Sequence, residues 1–79
     1  MDQQLNDKII QIFVTYLNKD INTLNSETTF SENNLDELDV IEAVMRVEDD
    51  FHVEISDDES DNFKSIQDIT ACVESKLAS

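Results

Sequence analysis

Neither glycine nor proline occurs anywhere in the 79 residues, where average usage would supply roughly nine or ten of the two together. A chain without glycine has no residue that enters left-handed backbone free of steric cost. A chain without proline has no preset opener for a tight turn. Turns therefore fall to Asn, Asp and Ser, whose side chains bond the local backbone. This argues against tight β-hairpins and against a glycine-rich phosphate loop.

The apolar pattern points to helices instead. Leu5, Ile9, Ile12, Phe13, Tyr16 and Leu17 recur at spacings of three and four, which predicts an amphipathic helix over about residues 3 to 18. Asn18, Asp20, Asn22, Asn25 and Ser26 break that pattern. Residues 19 to 35 are expected to form a long loop anchored by Ile21, Leu24, Phe30 and Leu35. A structureless loop of that length is uncommon in a small domain and needs a reason. A second helix is expected over about residues 37 to 51, with Asp36 and Asp39 spaced as a capping box. Acids there also suit the positive end of the helix dipole. Ser56 and Glu59 match a second capping box, opening a short helix at about 57 to 62. Phe63 anchors the next turn, and Ser65 caps a last helix whose core face is Ile66, Ile69, Val73 and Leu77, with Asp68 at its third position. His52 to Ile55 is a short extended link with Val53 and Ile55 facing inward. The sum is an all-α chain: a small antiparallel bundle of three main helices plus one short helix. No repeat or linker divides residues 1–79, so a single domain is expected.

Length and charge narrow the function. A chain of this size buries only about 60% of its unfolded surface, which leaves little room for a deep catalytic cleft. No apolar run approaches the roughly 20 residues of a membrane span. The start, Met1-Asp2-Gln3-Gln4, lacks a basic segment followed by an apolar one, so a cytoplasmic location is expected. Cys72 is alone and is expected to be a small buried hydrophobe beside Val73. Nineteen acids against five bases give a formal charge of −14. That disfavours nucleic acid, which needs basic clusters, and favours proteins with basic surface patches.

The second helix carries more apolar surface than a core needs. Val40, Val44, Val47 and Phe51 line one face, with Ala43 at its edge. Leu38, Ile41 and Met45 form another stripe, turned roughly 90° or more from the first. It is flanked by Asp39, Glu42, Glu48 and Asp49. One explanation is a wide core stripe covered by the later helices. The other is a docking surface, apolar at the centre and acidic at the rim.

Other chemistry has little support. Acids from Asp57 to Asp68 fall at four positions of a calcium loop, but Asn62 stands where glycine is required and Asp68 where a bidentate glutamate is. Their capping roles explain them without metal. One Cys and one His make no zinc site. No Ser or Cys has a recognisable base and acid at useful spacing.

Asp36-Glu37-Leu38-Asp39-Val40-Ile41-Glu42-Ala43-Val44-Met45 resembles the recognition helix of the acyl carrier proteins. Phe30 resembles an aromatic in that family's first loop. Residues 48–55 and 63–69 are similar to later family segments, and the resemblance spans about residues 5 to 77. It implies a carrier, not an enzyme. In the family, a serine opening the second helix holds 4'-phosphopantetheine, whose thiol carries acyl chains between synthases and transferases during processes such as fatty acid biosynthesis. The matching docking positions are Leu38, Asp39, Ile41, Glu42, Met45, Glu48 and Asp49.

Two departures qualify that expectation. The loop Asn33-Asn34-Leu35-Asp36 lacks the family's glycine and is a residue shorter. More seriously, Glu37 stands at the serine position, and a carboxylate cannot form the phosphodiester. Ser31 lies several residues upstream, in the loop. The expectation is a monomeric carrier-type protein, with no cofactor in this chain, that acts by docking. It is either a form deliberately made unloadable or a natural relative without the arm. The alternatives are an acidic interaction or regulatory module that never carries acyl groups, and a small enzyme using Glu37 as a base.

Overall fold

Among the described residues there are four α-helices, three following the apolar periods and the short one its capping box: α1 Gln3–Leu17, α2 Glu37–Phe51, α3 Asp57–Asp61 and α4 Ile66–Ala78. The computed structural model describes residues 3–78. Met1 and Asp2, which begin the segment lacking a signal-peptide pattern, and Ser79 lie outside the described residues. Helix α1 packs against both α2 and α4. Leu5, Ile9, Ile12 and Phe13 of α1 meet Ala43, Val44 and Val47 of α2 and Ile66, Ile69 and Val73 of α4 in one buried cluster. Each of these Leu, Ile, Val and Phe side chains, fully buried, contributes about 1.5–3 kcal/mol, and Ala43 less. Among the described residues there is no β-strand, only an isolated bridge between Thr29 and Ser65.

The helix ends follow their side chains. Asp36 accepts from the Asp39 backbone N–H at 2.8 Å, while Asp39 accepts from the Asp36 N–H at 3.1 Å, a complete capping box on α2. Ser56 and Glu59 make the reciprocal pair on α3, at 3.1 and 3.0 Å. At α4 the Asp68 N–H reaches the Ser65 hydroxyl at 3.3 Å, and the Asp68 carboxylate accepts from the Lys64 N–H at 2.8 Å. With no glycine available, Asn18, Asn34 and His52 take left-handed backbone at φ of 56°, 59° and 56°. His52 closes α2, its N–H and that of Val53 both returning to the Glu48 carbonyl.

The stretch expected as a structureless loop is ordered. It holds two 3₁₀ turns, Ile21–Thr23 and Ser31–Asn33. Asn33 is buried, and its side chain accepts from the Asn25 N–H and donates to Asn25, Thr28 and Thr29 oxygens within 3.2 Å. The loop also pairs with the start of α4, where the Phe30 N–H bonds the Lys64 carbonyl and the Gln67 N–H bonds the Ser26 carbonyl, both at 2.9 Å. A buried polar relay completes the tie: Thr70 donates to Asn6 at 2.9 Å, and Asn6 donates to Ser26 at 3.2 Å.

Three expected core or anchor residues lie at the surface. Tyr16 is 48% exposed, outside the core cluster, and its ring face is covered by the Arg46 guanidinium, 3.9 Å from the ring centre. Ile21 is exposed, since its turn is held by polar bonds from Asp20 and Leu24 makes the loop's apolar contact. Leu77 is 52% exposed, because the apolar period of α4 runs one turn past the last residue the bundle covers, Val73. Cys72 is half-buried, and its thiol faces the Glu59 carboxylate at 3.5 Å. Burial, then Glu59, pushes that thiol above its usual range.

Candidate functional site

The capping box sets where α2 starts, and so which side chain opens it. That residue is Glu37, exposed in the first turn. The second apolar stripe then follows from the helical period. Leu38 is 70% exposed, Met45 60% and Ile41 44%. The wide-core explanation is thereby excluded, because α3 and α4 leave this face open. At about 100° per residue, Glu37 and Glu48 fall along one side of the stripe, and Glu42 and Asp49 along the other.

The acids named from sequence divide into two kinds. Asp39 is half-buried and committed internally, capping α2 and meeting Lys19 at 3.2 Å. The Asp36 backbone N–H, with Lys19 in support, holds its carboxyl below the usual value. Glu48 is also half-buried, accepting from the Ile55 N–H at 3.1 Å and fastening the link after α2. Glu42 and Asp49 are exposed, and no hydrogen bond or ion pair engages their side chains among the described residues. Arg46, the one base on α2, is held over Tyr16 of α1, on the far side of the acids from Ile41.

Beside Glu37 a cleft of about 370 Å³ opens between the second 3₁₀ turn, α2 and α3. Phe30, Leu35, Val40 and Phe63 supply its apolar wall. Sequence reasoning placed these as anchors or core, and no periodic signal showed that they leave a cleft at the helix opening. The acids around Asp57 serve other ends. Glu59 caps α3 and meets Lys76 of α4 at 3.0 Å. Among the described residues no three His, Cys, Asp or Glu side chains gather as a metal site.

Residues 7–73 match the family described as "Phosphopantetheine attachment site". The acyl carrier protein of Onion yellows phytoplasma is 44% identical over 64 residues, covering 80% of this chain and 84% of that protein. The chain belongs to the acyl carrier protein family. The acyl carrier protein of Helicobacter hepaticus is 36% identical over 69 residues, covering 86% of this chain and 91% of its own. A crystal structure of the acyl carrier protein from Thermotoga maritima superposes with a TM-score of 0.88 at 34% identity, covering 96% of this chain and 89% of that one. Acyl carrier proteins carry phosphopantetheine, serve acyl-handling enzymes such as synthases and transferases, and are not enzymes themselves. Membership does not favour a module that never handled acyl groups. No described helix is long and apolar enough to cross a membrane.

The resemblance implies a side-chain hydroxyl as the anchor of the family's group, and the opening turn of α2 presents other chemistry. Asp36, Glu37, Leu38 and Asp39 contain no hydroxyl. Ser31 and Ser60 share the cleft wall with Glu37 but stand on the second 3₁₀ turn and on α3.

Proposed function

We propose that this chain is a single acyl-carrier-type domain over residues 1–79 that acts by docking and carries no phosphopantetheine on Glu37. The observation that carries the reading is the α2 surface: an apolar stripe in solvent between rows of acids, opened by a carboxylate where the family resemblance puts a serine. The stripe Leu38, Ile41 and Met45 supplies the contact area. Glu42 and Asp49 supply unpaired charge for basic patches on acyl-chain synthases or transferases, with Asp39 and Glu48 shaping the helix that presents them. A net charge of −14 keeps copies apart and favours a monomer. The lone Cys72 suits a reducing compartment, in keeping with a cytoplasmic location.

Incubation with coenzyme A and a phosphopantetheinyl transferase should leave the intact mass unchanged, while Glu37→Ser should gain the arm. Mass gain on the unaltered chain, or a Glu37→Ser variant that no transferase loads, would sink the reading of Glu37. Docking is tested by charge reversal at Glu42 and Asp49, which should weaken binding to a cognate synthase far more than reversal at Asp7 and Glu27. Equal losses would mean that net charge alone governs binding. Glu48 is a poor choice for this test because its carboxylate also holds Ile55.

A further inference from the structure

The cleft beside Glu37 has a chemistry of its own. Glu37 and Asp61 stand in its wall, both exposed, and neither side chain makes a hydrogen bond or ion pair among the described residues. Asp36 stands there too, but its carboxylate is taken by the Asp39 N–H. No lysine, arginine or histidine lines the cleft. Other clefts on the molecule differ in this respect: one between α1 and α2 contains Arg46, another Lys8, and two beside Glu59 contain Lys76.

An anion entering this cleft would meet two unpaired carboxylates. A neutral apolar group would use the wall but leave the acids idle. A side chain with an apolar stem and a cationic head uses both. Between the two basic side chains, arginine fits better. Its planar fork matches carboxylate oxygens, and its face stacks on aromatic rings such as those of Phe30 and Phe63. Ile41 belongs both to the cleft wall and to the exposed stripe on α2, so a partner covering the stripe reaches the cleft without a gap. We propose that this cleft seats an arginine side chain of the docked partner protein, with Glu37 and Asp61 as its carboxylate partners. This rests on the docking reading above and names the chemistry of the partner's anchor. It also gives Glu37 a recognition role that a serine at that position could not fill.

The test titrates Nα-acetyl-arginine methylamide into the full chain labelled with 15N and follows backbone amide shifts. Shifts should concentrate at Phe30, Glu37, Ile41 and Phe63. The pair Glu37→Gln with Asp61→Asn should bind about three- to tenfold more weakly, as the loss of two exposed ion pairs would give. Asp7→Asn with Glu27→Gln, exposed acids outside both the stripe and the cleft, should leave that binding unchanged. Absent shifts, shifts spread evenly over the acidic surface, or equal binding of the norleucine analogue, which has the stem without the head, would overturn the proposal. A chain that docks a synthase yet gives no cleft shifts removes the arginine seat alone. A chain that seats the arginine probe yet docks no partner leaves the seat standing and removes the docking reading.

Discussion

Asn33 shows how much a single buried polar side chain can organise. It is 3% exposed and joins Asn25, Thr28 and Thr29 around one amide group. A polar group so placed is costly when its partners are lost. Asn33→Ala leaves the Asn25 N–H without its partner, while the Asn25 and Thr29 carbonyls keep their bonds from Thr28 and from the residue 33 backbone, and should cost about 1–3 kcal/mol. A urea denaturation midpoint within error of the parent would show that the loop does not depend on this residue. Glu37 is the opposite case. Its exposed carboxylate makes no hydrogen bond or ion pair among the described residues, so its replacement should leave folding nearly unchanged and alter loading and recognition instead.

At the scale of elements, the short α3 is fastened to α4 through Glu59. The Ser56 backbone N–H, aided by Lys76, lowers the Glu59 carboxyl to about 2 from an ordinary 4.5. A carboxyl depressed in the folded state stabilises it above its unfolded pKa, and that contribution is lost as pH falls from about 4.5 toward 2. The stability gap between the parent and Glu59→Gln should therefore be full at neutral pH and narrow through that window. Chemical denaturation at a series of pH values checks this, and a gap constant down to the acid end would mean the tie is not ionic. The other acids protonate alike in both proteins and cancel from the comparison. In the same way, Asp39 and Glu48 serve α2 before they can serve a partner, which is why the acidic rim is narrower than the row of acids along the helix suggests.

For the molecule as a whole, the formal charge of −14 sits on a body with a radius of gyration of 11.3 Å. At physiological salt the screening length is about 8 Å, so many of these charges still repel one another. Raising salt from low to moderate concentration should stabilise the fold. Relief of about 1 kcal/mol would lift the thermal midpoint by about 4–8 °C in a chain of this size. Equal midpoints at both salt levels would mean that the acids are already too dispersed to matter. The same field speeds encounter with a basic partner, so docking rates should fall as salt rises.

Helix positions, caps and the second apolar stripe on α2 were legible in the chain itself, because local periodicity and Ser or Asp side chains act within a few residues. Val40 and Met45 are both apolar on the same helix, and the period alone put them on different faces. The identity of residue 37 likewise needed no structure to exclude an ester-forming alcohol. What the fold decided involves residues distant along the chain. Thr70 reaches Asn6 across 64 positions, Phe30 and Phe63 come to line one cleft, and Arg46 turns onto Tyr16 instead of the acidic face. Such pairings arise from packing, where the partner of each group depends on how the helices are laid against one another.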